Sequence, residues 1–271
     1  MRIFVSGLRK LIGRPASFVS VGLLVGLLGL ILIAAATVGQ QGSGREGQNA
    51  RALITFPGAY DLILSFMFGL GGLVAVIYGA AIAGSEWSWG TLKNAVARGE
   101  SRTRYVLSTF AAIVVMLAIG LAITFVAGVG LALVGATIAG ISTSGVSDAD
   151  TLQRLPALAA RGWFAVVEQA SLGYAIATLA RSQLAGIGAG IAFYFGETFA
   201  RIFLPDIIKY MPFAVAQASL RIGGGLGGQN GGGGGFVSSL PADTALILVA
   251  AWLVGSLVVA VAITERAEIT G

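Results

Sequence analysis

The chain has 271 residues, of which 56% are hydrophobic and only 11% are charged. An ordinary soluble domain carries roughly 25% charged residues, so this composition predicts an integral membrane protein. The net charge of +5 comes from basic residues scattered among apolar runs, which argues against a nucleic-acid partner. The absence of cysteine and histidine excludes disulfides and thiolate metal sites, and it argues against histidine-based hydrolases, haem proteins and zinc enzymes.

Six apolar runs predict an all-α fold, a single transmembrane domain of six helices over residues 1–271. In chain order the predicted spans are residues 18–38, 60–84, 105–140, 162–180, 184–204 and 243–264. The first run follows a basic stretch, as a signal peptide does. Its roughly twenty apolar residues exceed the core of a typical signal peptide, so we interpret it as a retained helix. The three polar residues between the fourth and fifth spans predict an antiparallel helical hairpin.

Two connections are expected on the outer side. Residues 39–59 are polar and glycine-rich, which predicts a solvated loop. Residues 205–241 form a longer extracytoplasmic loop, and its first half is amphipathic and contains two prolines. That half predicts a short re-entrant or interfacial segment before the sixth span. The glycine-rich residues 223–235 predict a flexible linker, and no strand precedes them, so a dinucleotide site is not indicated.

Basic residues set the predicted orientation. The side that holds both termini and residues 85–104 carries more Lys and Arg in short segments than the opposite side. Such segments remain cytoplasmic in most membrane proteins, so both termini and residues 85–104 are predicted to be cytoplasmic.

Glycine and ionisable residues within the spans indicate how the helices pack. Gly22 and Gly26, and likewise Gly186 and Gly190, are four residues apart and predict close helix–helix contacts. In the fifth span, Glu197 and Arg201 are also four residues apart and are expected to pair. Glu168 in the fourth span has no partner within one turn. It is therefore expected to face the protein interior, a cavity or a partner, as the candidate residue of a translocation path.

Residues 85–104 are the one long polar stretch between two predicted spans whose sequence is not that of a flexible linker. Gly84 and Ser85 are predicted to end the second span and to begin a short helix. Gly99 is expected to end that helix, and Ser101 to begin the third span.

One face of the short helix is expected to carry Trp89, Leu92 and Val96. This spacing describes an amphipathic helix along the cytoplasmic surface. An ordinary amphipathic connector has the same spacing, so both interpretations stay open.

The run EWSWGTLK at residues 86–93, followed by RGESR at residues 98–102, resembles a motif of ABC-2 type permease subunits. In that family a Glu, a Gly-Thr-Leu sequence, a short helix and an Arg lie between the second and third of six spans. The resemblance implies that this segment couples the permease to an ATPase. The implied coupling residues are Glu86, Trp89, Gly90, Thr91, Leu92, Lys93 and Val96, with Arg102 or Arg104 as the basic residue that follows.

The resemblance further implies a six-helix bundle that pairs with a second permease copy or a paralogue as a dimer. It also implies an ATP-binding cassette subunit that holds ATP and Mg²⁺, with no cofactor, metal or catalytic residue in this chain. None of the three lysines follows a glycine, so no P-loop is present. The expected location is the cytoplasmic (inner) cell membrane of a prokaryote, as a multi-pass protein. The composition suits a lipophilic or amphiphilic substrate better than a small ion, although any bundle of apolar helices has the same composition. The resemblance implies that the substrate is moved out of the cytoplasm.

Two alternatives stay open. A secondary transporter or channel would need intramembrane ionisable residues or broken helices, and often an internal repeat. The sequence has few such residues and no convincing repeat. A non-transporting membrane anchor or assembly subunit would need only the bundle and a docking face. A membrane enzyme is disfavoured because there are no histidines and no clustered carboxylates.

Overall fold

A computed structural model describes residues 2–42, 44–220 and 240–267. In this part of the chain all regular secondary structure is helical, which confirms the predicted all-α class. The helices are α1 (Arg2–Ile12), α2 (Pro15–Gln41), α3 (Arg45–Ile54), α4 (Gly58–Ser88), α5 (Thr91–Ala97), α6 (Arg102–Ile138), α7 (Ala149–Ala180), α8 (Gln183–Phe203), α9 (Pro205–Ile208), α10 (Pro212–Ser219) and α11 (Ala242–Arg266). The predicted linker at residues 223–235 lies outside the described residues.

Four helices within the described ranges are long and apolar enough to cross a membrane, namely α2, α4, α6 and α11. They indicate a membrane protein. The predicted fourth and fifth spans lie in α7 and α8, which are also long helices. Their apolar character is diluted by Glu168 and Gln169 in α7 and by Glu197 and Arg201 in α8.

Helix α4 lies at the centre of the bundle and packs against α2, α6, α7 and α8. Its contact with α7 is close because glycines lie on both sides. A Cβ atom at Gly79 would overlap the carbonyl of Ala170, and one at Gly173 would overlap the carbonyl of Val76. The two backbones therefore touch directly, which is how small residues hold helices together where lipid supplies no hydrophobic drive.

The glycine pairs picked out in the sequence differ in what they contact. Gly186 and Gly190 are buried, where added Cβ atoms would meet Ala177 and Val76. An added Cβ on Gly22 or Gly26 would meet nothing, so this pair makes no close helix contact among the described residues. Spacing by four residues places two glycines on one helix face, but it does not say whether that face is covered.

The prediction of a solvated loop over residues 39–59 is wrong. Helix α2 continues through Gln41, and α3 then packs against α2 and α4 with Ile54 fully buried. The Arg51 Nε donates a 2.6 Å hydrogen bond to the Gly39 carbonyl and so ties α3 to the end of α2. Polar composition concealed the one apolar face of this short helix.

Helix α7 begins thirteen residues before the predicted span and is continuous past Pro156. Asp148 caps it, because Asp148 Oδ2 accepts hydrogen bonds from the Thr151 amide at 2.9 Å and the Thr151 hydroxyl at 2.5 Å. These hydrogen bonds hold the pKa of the Asp148 carboxyl below its usual value. After α8, the short helix α10 lies buried against α7, α8 and α11.

The two ends of α5 are set by glycines. Helix α4 runs through Gly84, contrary to the expected stop there, because Gly84 packs directly against the Gln183 backbone. The break comes instead at Gly90, whose φ of +64° favours glycine. The expected stop at Gly99 and start at Ser101 are confirmed: Gly99 has φ +86°, and the Ser101 hydroxyl accepts from the Arg104 amide at 3.2 Å.

Candidate functional site

Glu86 is the centre of a buried ionic cluster at the C-terminal end of α4. Only 4% of this residue is exposed. A carboxylate there meets the negative end of the helix dipole and therefore needs positive partners. Its Oε1 accepts from Lys10 Nζ at 2.6 Å and from Arg14 Nη2 at 3.0 Å. The cations come from α1 and from the residue just before α2, so the cluster ties the N-terminal segment to α4.

The second oxygen of the same carboxylate binds the next two helices. Glu86 Oε2 accepts hydrogen bonds from the Thr91 hydroxyl in α5 and the Tyr105 hydroxyl in α6. A buried charge is tolerated only when opposite charges and hydrogen bonds satisfy it together. Because both oxygens are satisfied, Glu86 holds α1, α5 and α6 against the end of α4.

Arg14 extends the cluster toward the surface. Its Nη1 donates to the Ser85 hydroxyl at 2.6 Å, and its guanidinium lies 5.0 Å from the ring centre of Trp89. Sequence analysis missed Lys10 and Arg14 as partners of Glu86. The available signal was the predicted topology, which puts the basic N-terminal stretch at the same membrane surface as the end of the second span.

The segment between α4 and α6 has a buried side and an exposed side. Leu92 and Ala95 face inward, whereas Trp89 is 63% exposed and Lys93 is also exposed. The predicted common face of Trp89, Leu92 and Val96 is therefore wrong. The left-handed Gly90 separates Trp89 from α5, so one helical periodicity does not run through both.

The two arginines at the start of α6 have different surroundings. Arg102 Nη1 donates to the carbonyls of Thr264, Glu265 and Ala267 at 3.2, 2.7 and 2.8 Å, and so caps the C-terminal end of α11. In return, the Glu265 carboxylate accepts from the Thr103 amide at 3.1 Å. Arg104 is exposed. Arg102 thus joins α6 to α11, while Arg104 is exposed on the surface of the protein.

Glu168 lies in α7 and is fully buried. Both carboxyl oxygens lack a hydrogen-bond partner among the described residues, as does Oε1 of the neighbouring Gln169. The Gln169 amide lies where a Cβ at Gly72 would be, so Gly72 makes room for it. An unsatisfied carboxyl is costly in a protein interior and marks a functional position more often than a packing position.

Glu197 in α8 is a second buried carboxyl, and unlike Glu168 it has hydrogen-bond partners among the described residues. Its carboxylate accepts from the backbone amides of Phe213 at 3.2 Å and Ala214 at 2.6 Å, which are the free donors at the start of α10. The expected pair with Arg201 is present at 3.8 Å. Among the described residues, no group of three or more acidic side chains is positioned to hold a metal ion.

Residues 40–270 match the family described as "Protein of unknown function (DUF2705)". The chain belongs to this family. The DUF2705 match includes Glu86, the whole segment at residues 85–104, and the buried carboxyls of α7 and α8. Lys10 and Arg14 precede it, so the ionic cluster joins residues inside and outside the DUF2705 region. No curated protein matches the chain.

Proposed function

We propose that this chain is the transmembrane permease subunit of an ATP-driven exporter of the ABC-2 type. The observation that carries the proposal is the exposed turn and helix at residues 89–98, which Thr91 joins to the Glu86 cluster between two candidate membrane spans. When a docked protein displaces a segment held in this way, α4 and α6 are displaced with it.

In this mechanism an ATP-binding cassette subunit docks against Trp89, Lys93 and the exposed side of α5. ATP and Mg²⁺ are bound and used in that subunit. When it closes on ATP, α5 is displaced, and α4 and α6 follow because Thr91 and Tyr105 both hydrogen-bond to Glu86. Lys10 and Arg14 extend the motion to the N-terminal segment. Arg102 extends it to α11 through the carbonyls at the end of that helix.

The proposed topology has six crossings with both termini cytoplasmic. It adds α7 and α8 to the four apolar helices. Helix α8 has 21 residues, which at about 1.5 Å per residue span the roughly 30 Å hydrocarbon core. The turn between them contains Arg181 in a left-handed conformation, as a tight hairpin requires. A second permease copy or paralogue completes the exporter in the cytoplasmic membrane of a prokaryote.

Glu168 is proposed to lie on the translocation path of a lipophilic or amphiphilic substrate. Its carboxyl has hydrogen-bonding capacity that no described residue uses, which suits a substrate with one polar group. Glu168→Gln keeps the shape of the side chain and removes the acidic group. We expect it to lower transport while assembly with the ATPase is retained. Unchanged transport and substrate profile would exclude Glu168 from the path.

The coupling proposal is tested by copurification of the full chain with the ATP-binding cassette subunit encoded beside it, if the neighbouring gene encodes one. Nucleotide hydrolysis is then measured in lipid vesicles. Lys93→Glu and Arg98→Glu reverse charges on the exposed side of the segment without entering the Glu86 cluster. Arg45→Glu makes the same change at an exposed residue of α3, which is predicted to lie at the opposite membrane surface.

Charge reversal at Lys93 and Arg98 is expected to release the ATPase or to uncouple hydrolysis from transport, whereas Arg45→Glu leaves both intact. Equal behaviour of the three variants would contradict docking at this segment. A neighbouring gene without an ATP-binding cassette would weigh against an exporter and would favour a membrane anchor.

Glu168 and the interrupted helices α9 and α10 support a second candidate, a secondary transporter. Such proteins bind substrate where short helices end near buried ionisable groups. Here the start of α10 points at Glu197 within the same region. Transport that follows an ion gradient in vesicles without ATP would favour this candidate over the exporter.

A further inference from the structure

An apolar cavity of about 380 Å³ lies between α4, α6 and α7, apart from both the Glu86 cluster and Glu168. Its inner wall is formed by Leu64, Met67 and Phe68 of α4, each 5% exposed or less. Ligand sites in proteins occupy roughly 300–1,000 Å³, so the cavity is large enough for a ligand rather than a packing defect.

The aromatic side chains at the cavity wall use their polar atoms in hydrogen bonds within the protein. Trp163 of α7 reaches across to α6, where its indole Nε1 donates to the Val114 carbonyl at 3.3 Å. The ring of Phe125 also lines the cavity and stacks on Tyr60, with ring centres 6.2 Å apart. The Tyr60 hydroxyl donates a hydrogen bond to the Val146 carbonyl at 3.0 Å. The rings therefore offer a bound molecule only apolar surface, and a polar group inside would go unpaired.

The mouth opens through the side of the bundle. It is formed by small or short side chains, including Ala118 and Ala122 on α6 and Ala159 on α7, all of which are exposed. Next to them on α6, Ile123 and Val126 are 50% and 71% exposed in one of the four candidate membrane spans. Lipid hydrocarbon covers such side chains where a helix spans a membrane, so the mouth is expected to face acyl chains rather than water.

We propose that this cavity binds a single unbranched aliphatic chain, contributed by a membrane phospholipid or by a free fatty acid. At roughly 30 Å³ for each water-sized group, the cavity holds about a dozen groups of that size. An alkyl chain restores the dispersion contacts that an empty apolar cavity loses, and it leaves no polar atom inside. The inference does not depend on the permease proposal, because it concerns contact between this chain and lipid and requires no ATPase.

The test uses the full chain in phosphatidylcholine vesicles that contain a trace of phospholipid with a diazirine in one acyl chain. After illumination, the labelled residues are mapped by mass spectrometry. Parallel samples receive diazirine-labelled palmitic acid or a photoactivatable sterol. The reporters are Leu64, Met67 and Phe68, which only an inserted molecule can reach. Val254 and Val258 on exposed α11 report ordinary lipid contact.

Ala122→Phe fills the mouth, and Ala251→Phe is the matched control on an exposed position of α11. We expect an acyl probe to label the α4 reporters in the wild type and in Ala251→Phe, and this label to be lost in Ala122→Phe while α11 labelling persists. If the phospholipid probe labels the α4 reporters and excess palmitic acid does not reduce this labelling, the bound chain belongs to a phospholipid. If the palmitic acid probe labels the α4 reporters and excess unlabelled palmitic acid removes this labelling, the bound chain is a free fatty acid.

Three results would overturn the proposal. They are labelling confined to α11, labelling of α4 by the sterol probe alone, and unchanged labelling of α4 in Ala122→Phe. Elution volume and thermal midpoint establish that each variant is folded. If Ala122→Phe is not folded, Ala118→Phe blocks the same mouth and is judged by the same reporters.

Discussion

Replacing Glu86 by Gln tests whether the ionic cluster holds the helices together. The change keeps the size of the side chain but removes its charge. Arg14 would then be left as a cation of which only 8% is exposed, without a carboxylate partner. Thr91 and Tyr105 would each lose a charged acceptor for their hydroxyl groups. We expect Glu86→Gln to lower stability more than Glu168→Gln or Glu100→Gln.

The magnitude follows from the burial of each partner. Removing one member of a buried ion pair costs about 3–5 kcal/mol, and the Arg14–Glu86 pair is buried on both sides. The Lys10 side chain is 36% exposed, so its pair adds only about 0–1 kcal/mol after solvent screening. These contributions share one carboxylate and do not add in full. We therefore expect the free energy of unfolding to fall by about 3–5 kcal/mol.

The measurement is reversible unfolding of the purified chain in mixed micelles of mild detergent and dodecyl sulfate. Glu100→Gln, a half-exposed residue of the same segment, is the matched control and should change stability by less than about 0.5 kcal/mol. In a double-mutant cycle with Arg14→Gln, the coupling energy should exceed about 1 kcal/mol. Equal unfolding free energies for Glu86→Gln and Glu100→Gln would refute the structural role of the cluster.

Three further predictions concern other contacts. Gly79→Ala should lower the unfolding free energy by about 1–3 kcal/mol, because its Cβ would overlap the Ala170 carbonyl. Gly69→Ala places its Cβ in open space and should not destabilise the protein. The same unfolding assay compares the two variants. Arg102→Ala should speed amide hydrogen exchange at residues 264–267, and exposed Arg104→Ala should leave it unchanged. The lowered pKa of Asp148 means that its capping contribution is full above the usual carboxyl pKa and is lost as pH falls through the lowered value. The Thr151 amide should therefore lose protection from hydrogen exchange only in strongly acidic solution, after correction for intrinsic rates. Asp148→Ala should abolish this dependence on pH.

Short-range signals in the sequence were sufficient for the helical class and for some helix ends. Gly99 and Ser101 were assigned correctly because a left-handed glycine and a serine cap act within a few residues. Gly84 was misassigned as a stop, since a glycine that packs against another helix looks the same in sequence as one that ends its own helix. The pairing of Glu197 with Arg201 was predictable because both lie on one helix, four residues apart.

The candidate site was predicted only in part. The resemblance identifies Glu86 only as one of the coupling residues, and the fold buries it beneath the exposed side of the segment. Its partners Lys10 and Arg14 are more than seventy residues away, and no local pattern connects them. Helix α3 was missed for a similar reason, because its one apolar face has meaning only when α2 and α4 cover it.

The sequence alone therefore determined a membrane protein of long helices, a polar segment between two of them, and an isolated carboxyl at Glu168. These properties follow from composition and from spacing within one or two helical turns. Only the tertiary structure decided which glycines bring backbones into contact, which charges neutralise Glu86, and where an apolar cavity remains open. Those features depend on which helix faces meet, and that is fixed by the packing of the whole bundle.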